Sequence, residues 1–201
     1  MIIDVSKADV VSVYQALVGV VTPRPIAWVT TVDELGRVNL APFSFFNTFG
    51  ANPPVVVFSP TNRRDGSKKD TLLNLQAVPE FVINSAVEDL AAPMNATSAE
   101  LPRGQDEAEF AGVELLPSTM VRPPRVAASP VHLECRMLQY ISIGEGAIAA
   151  NLVIGQVVLI HIDDAVLDSN GRVNPRKLRT IARLGGDDFC RSTDLFQMKR
   201  P

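Results

Sequence analysis

The stretch from 61 to 71, Thr-Asn-Arg-Arg-Asp-Gly-Ser-Lys-Lys-Asp-Thr, sets the cations Arg63, Arg64, Lys68 and Lys69 among two acids. Gly66, Ser67 and Thr71 can present backbone amides and hydroxyls there, and the stretch runs straight into apolar positions spaced for a short helix at 71–78. The start of a helix offers unpaired N–H groups and the positive end of its dipole, so a phosphate on a small ligand suits this place. The competing reading is a solvated basic loop in which Asp70 caps the helix. A capping carboxylate would occupy the amides a phosphate needs.

A second candidate lies at 39–47, where Asn39, Leu40, Ala41, Pro42, Phe43, Ser44, Phe45, Phe46 and Asn47 interleave small polar residues with three phenylalanines. Pro42 cannot donate to a strand ladder, which leaves backbone groups around it facing outward. A strand edge beside aromatic surface suits a flat heteroaromatic ring; an ordinary barrel strand with core phenylalanines is the alternative. Other chemistry fails on residue supply. The chain has neither GxSxG nor HExxH, and its two histidines, His132 and His161, fall in stretches read as strands. Cys135 sits on the apolar face of a strand, Cys190 lies in the tail, and the two form no CxxC pair, so no metal set and no nucleophile is assigned. The phosphate-binding glycine fingerprints GxGxxG after a strand and Walker A are also missing.

The elements that must position these residues read mostly as strands. A hairpin joins 25–31 to an extended segment at 37–46 through a turn at 33–36. VVVFS at 55–59 and EFVINSA at 80–86 are further strands, and 131–140 and 152–162 are longer ones. Residues 87–129 hold five prolines and short helical pieces at 96–100 and 106–110, an excursion wrapped on the rest of one domain spanning 1–201. After a turn at 168–171, a helix at 175–182 with proline at its first position precedes irregular ends. Together these make a mainly β chain, an antiparallel β-barrel with helical additions.

Composition agrees. Across 201 residues, 46% are hydrophobic and 20% charged, which excludes a disordered tail. A formal net charge of -3 argues against a general nucleic-acid surface. The N-terminal stretch carries Asp4 and Asp9 and lacks the basic start of a secretory signal, and apolar runs such as 147–160 are interrupted by Asn151, Gly155 and Gln156. A soluble, cytoplasmic protein without membrane or nucleic-acid partners is expected.

In order along the chain, TPRPIAWVTT (22–31), NLAPFSFFNTFGANPPVVVFS (39–59), KKDTLLN (68–74), EFVIN (80–84), AAPMNAT (91–97), PRVAASPVHLEC (124–135), NLVIGQVVLIHID (151–163) and ARLGGDDF (182–189) resemble one family. It is the flavin reductase-like family with an FMN-binding split β-barrel of Greek-key-like topology, in particular the long-chain branch that includes flavoredoxin and nitrilotriacetate monooxygenase component B. The resemblance implies a homodimer with FMN near the subunit interface, or FAD as an exchangeable substrate. It places the ring along Asn39, Leu40, Ala41, Ser44, Phe45 and Asn47, and the phosphate among Thr30, Thr31, Ser59, Lys69 and Thr71, with Asp70 at the same cofactor site; Arg183 matches a position that could also reach the flavin. The implied activity is hydride transfer from NAD(P)H to FMN, with electrons passed to a partner oxygenase or another acceptor. The sequence departs from short-chain flavin reductases at 149–157, AANLVIGQV, where those carry Gly-Asp-His. Two rivals therefore stand beside the reductase: an FMN electron-transfer protein without NAD(P)H activity, and a split-barrel ligand-binding protein that is not an enzyme.

Overall fold

The structure, a computed structural model, describes residues 1–200. Helix α1 (Val10–Val20) comes first, started by Asp9, whose side chain accepts from the Ser12 amide. Strands β1 (Arg24–Pro25), β2 (Ala27–Val32), β3 (Val38–Phe43), β4 (Phe46–Ala51) and β5 (Pro54–Phe58) follow, then α2 (Asp70–Ala77) and β6 (Glu80–Ser85). The excursion contains a 3-10 turn (Glu88–Leu90), α3 (Ala91–Ala96), α4 (Glu107–Phe110), β7 (Leu115–Leu116) and β8 (Arg125–Val126). The chain closes with β9 (Val131–Ile143), β10 (Ala150–Ile162), a 3-10 turn (Asp164–Val166), α5 (Pro175–Leu178), β11 (Ile181–Arg183) and β12 (Phe189–Arg191).

Every strand pairing is antiparallel. The main sheet runs β3-β2-β6-β9-β10-β5-β4, and its two outer strands are consecutive in sequence. Only Ser44 and Phe45 separate β3 from β4, a connection of about 10 Å at full stretch. The sheet therefore curls until its edges meet, and the Ser59 amide donates to the Phe45 carbonyl at 2.9 Å across that seam. The expected antiparallel barrel is what forms. The β2–β3 hairpin owes its turn to Asp33, which accepts from the amides of Leu35 at 3.0 Å and Arg37 at 2.9 Å, and to Gly36 at φ +80.

The barrel interior is filled by Ala27, Val29, Phe43, Phe58, Phe81 and Val153 with their neighbours, and Leu72 and Leu75 of α2 plug it. The excursion covers the opposite face of β2 and β3, where Trp28, Leu40, Met94 and Val126 form a second cluster. Residues of β2 are consequently buried on both faces. The excursion is also pinned by polar groups. Trp28 Nε1 donates to Thr97 Oγ1 at 2.9 Å, and the fully buried Glu134 carboxylate accepts from the Thr119 amide at 2.8 Å and from the Met120 amide, with His161 Nε2 at 2.6 Å. Burial pushes the Glu134 carboxyl up, but these partners outweigh it and hold it below its ordinary value.

Several elements differ from the sequence expectation. The first helical piece of the excursion is Ala91–Ala96, not 96–100, because Thr97 turns its hydroxyl back onto the Met94 carbonyl and ends the helix. The helix expected at 175–182 stops at Leu178, where Arg179 adopts a left-handed φ of 50, and 181–183 becomes β11. The tail is only partly irregular: β11 joins β1 and β12 in a three-stranded sheet, while residues 192–200 hold no helix or strand. The segment 37–46 is not continuous; it breaks at 44–45 where the chain crosses between sheet edges. No helix among the described residues is long and apolar enough to cross a membrane.

Candidate functional site

A cleft of about 90 Å³ opens between β3, the start of α2 and the segment following α3; Asn39, Ala41, Lys69, Asp70, Thr71 and Glu107 are among its lining residues. Asn39 Nδ2 donates to Thr71 Oγ1 at 2.9 Å, which ties the strand to the helix start. Lys69 occupies the N-cap position with extended backbone, and no side chain caps the helix. Asp70 is therefore not the cap the basic-loop reading required. Its carboxylate turns aside to Arg63 Nη2 at 2.9 Å, with Arg103 Nε at 4.0 Å. The first amides of α2 thus keep their capacity to bind an anion.

The Lys69 ammonium lies half-buried, 5.5 Å from the Phe43 ring centroid, with no carboxylate of the described residues within ion-pairing distance. Burial, with the Arg63 charge beside it, lowers its pKa. A partly desolvated cation with no carboxylate in direct contact, though Glu100 lines the same cleft, next to a hydroxyl and an uncapped helix start, can take a phosphate-sized anion. Glu107, which sequence reasoning missed, sits in the same cleft. Its Oε2 accepts from the Leu40 amide at 3.1 Å, and burial raises its pKa. Nothing in its spacing links it to β3; folding of the excursion alone brings it there.

A second group forms at the barrel seam. Arg24, 5% exposed, donates to the carbonyls of Val18 at 2.6 Å, Val21 at 2.8 Å and Leu184 at 3.0 Å, and through Nε to Ser44 Oγ at 3.3 Å. Its guanidinium also lies 6.0 Å from the Phe45 ring centroid. Arg183 stands directly opposite Arg24 in the β1–β11 register, and its guanidinium lies over the Phe189 ring and donates to the Gly186 carbonyl.

The other expected site residues are not gathered with these. Thr30 and Thr31 are adjacent on a strand and so face opposite sides of the sheet. Thr30 Oγ1 donates to the Pro124 carbonyl at 2.5 Å under the excursion, while Thr31 is sealed beneath α2 by Asn74 Nδ2 at 3.2 Å. Leu40 points into the outer cluster and is fully buried. Ser59 Oγ accepts from the Asn151 amide at 3.2 Å, and the exposed Asn47 side chain accepts from the Thr48 amide at 2.8 Å. Cys135 is core, with burial pushing its thiol up, and the described residues contain no group of metal-ligating side chains.

The closed antiparallel sheet, its two edge strands joined by the β3–β4 crossing, defines a split-barrel protein. The model of the flavin reductase-like domain matches residues 20–180, and the chain belongs to that family. It is 41% identical over 194 residues to an uncharacterized protein of Deinococcus radiodurans, covering 93% of this chain and 84% of that one. Its structure resembles nitrilotriacetate monooxygenase component B from Bacillus cereus with a TM-score of 0.92 at 32% identity, covering 98% of both chains. It also resembles the 2-nitrobenzoate 2-nitroreductase NbaA of Pseudomonas fluorescens, with a TM-score of 0.89 at 31% identity, covering 100% of this chain and 96% of that one.

Proposed function

We propose that this chain is an FMN-dependent oxidoreductase that takes electrons from NAD(P)H and passes them to an acceptor such as a partner oxygenase. The observation that carries the reading is the unpaired Lys69 ammonium at the uncapped start of α2, beside Thr71. A cleft of about 90 Å³ has room for about three waters, the scale of a phosphate group, so the ring would lie outside it along Ala41 to Phe45. Lys69, Thr71 and the helix amides hold the phosphate in this reading, and Asn39 fixes Thr71. Bound FMN would supply the hydride-accepting chemistry, while the protein supplies position and electrostatics. The likeness to nitrilotriacetate monooxygenase component B and to a 2-nitrobenzoate 2-nitroreductase supports redox chemistry.

One observation favours the electron-carrier alternative. Where short-chain reductases carry a histidine, Asn151 is 2% exposed, and its side chain is spent on the Pro60 carbonyl at 3.1 Å, Asn62 Oδ1 at 2.9 Å and Ser142 Oγ at 2.8 Å. No free group is left there to meet a nicotinamide. The FMN assignment is tested by fluorescence titration of wild type and a Lys69→Ala, Thr71→Val double variant, with thermal midpoints measured alongside. One charge-assisted contact at about 1.5–3 kcal/mol and one neutral contact near 1 kcal/mol give a loss of about a hundredfold or more. An unchanged dissociation constant would remove the cleft from the FMN site.

A further inference from the structure

Antiparallel pairing sets Arg24 of β1 directly across from Arg183 of β11, so two guanidinium groups leave the same face of a two-strand ladder. Like charges in that relation destabilise a sheet, and this one is not neutralised. Arg24 is 5% exposed and has no carboxylate partner among the described residues; its acceptors are three carbonyls and the Ser44 hydroxyl. Two of those carbonyls, of Val18 and Val21, end helix α1 and supply only about half a charge. Arg183 is little better balanced. Its guanidinium stacks 4.4 Å from the Phe189 ring centroid and donates to the Gly186 carbonyl at 2.6 Å. Its sole acidic neighbour, Asp187 at 3.9 Å, is fully exposed and screened by water. The pair is also fixed in place: an added Cβ at Gly185 would sit 3.4 Å from Gly19 Cα, so α1 and the segment after β11 are packed backbone to backbone.

We infer that Arg24 at the β3–β4 crossing, with the Arg183 charge directly across the ladder behind it, is a positive electrostatic element that favours a ring ligand at Ser44 and Phe45 in its more negative form. This rests on the reading that FMN lies along that crossing. Reduced flavin carries a negative charge that the oxidised ring lacks, so two nearby cations bind the reduced form more tightly and raise the potential. Arg183 acts through its charge. Arg24 acts through its charge and by holding Ser44, Leu184 and the end of α1 together, which makes it a positioning residue as well.

The test is dye-equilibrated reductive titration of bound FMN in wild type, Arg183→Gln and Arg183→Lys, with Arg24→Lys as a fourth protein. Arg183 is the residue to neutralise first, because it is half-buried at the end of the sheet's central strand and its side chain makes one hydrogen bond, while Arg24 makes four. Arg183→Gln is expected to lower the ratio of reduced to oxidised affinity by about tenfold, about 30 mV for a two-electron couple. Arg183→Lys, which keeps the charge, should stay within about threefold of wild type, whereas Arg24→Lys keeps the charge but loses most of the guanidinium's hydrogen bonds and should also show a lowered thermal midpoint. A potential unchanged in Arg183→Gln, or lowered equally in Arg183→Lys, would overturn the inference while leaving FMN binding intact. Wild-type protein that holds no FMN would overturn the proposed function itself, and the inference with it.

Discussion

Glu107 and Lys69 share the cleft with opposite consequences for an anion. Burial raises the Glu107 pKa, so the group is neutral at low pH and becomes a carboxylate as pH rises through that raised value. The ionised form repels a phosphate held by Lys69. FMN affinity should therefore fall as pH rises through the Glu107 titration, and Glu107→Gln should bind more tightly at pH 8 with a flatter profile. The phosphate's own ionisation near pH 6 is common to both proteins, so the difference between their profiles isolates Glu107. Parallel profiles would show that Glu107 does not face the ligand. At this scale the meeting of Lys69 and Thr71 in one cleft was legible, because the two lie on either side of a helix start. Thr30 and Thr31 misled for the converse reason: two neighbours on a strand cannot both serve one ligand. Glu107 carries no local signal; only the path of the excursion places it at Leu40.

Strand β10 shows how a single position controls an element. At Gly155 an added Cβ would lie 2.3 Å from Phe81 Cζ and 2.7 Å from Cε1, inside the fully buried barrel core. The register between β9 and β10 also shifts between Ile154 and Gly155, so the strand bends where the ring presses on it. Gly155→Ala should cost about 1–3 kcal/mol, visible as a thermal midpoint several degrees lower. An unchanged midpoint would mean the barrel yields at Phe81. The strands themselves were readable from runs such as VVVFS and EFVINSA, whose side chains suit a pleated buried surface. What could not be read was non-local. β11 is a strand because two residues far earlier in the chain, Arg24 and Pro25, offer it an edge, and proline at 175 argues for a helix with no hint of where Arg179 ends it.

The whole molecule leaves much apolar surface open. Leu138 is 55% exposed, Ile143 55% and Ile160 54% on the far halves of β9 and β10, and Val10, Leu17 and Val20 of α1 are 56%, 51% and 76% exposed. The β9–β10 register sets Ile143 opposite Ala150 at one end of the ladder and Ile160 opposite Leu133 at the other, so exposed apolar side chains are spread along its length, and the homodimer implied by the resemblance would cover those at its interface. Analytical ultracentrifugation should give twice the chain mass, with Leu138→Asp shifted towards monomer; a wild-type monomer at micromolar concentration would contradict the dimer. The antiparallel barrel was legible at this scale because blocks across nearly the whole chain match one family, whereas how the sheet closes emerged only from β3 and β4 lying at its two edges.

The central claim is that this chain holds FMN and reduces it with a nicotinamide. The measurement that tests it most directly is the absorbance spectrum of the protein after FMN addition and desalting, followed by anaerobic NADH and then NADPH. A retained flavin band that bleaches with one of the nucleotides is the predicted result. A preparation that keeps no flavin band, and that oxidises neither nucleotide with FMN in excess, would contradict it.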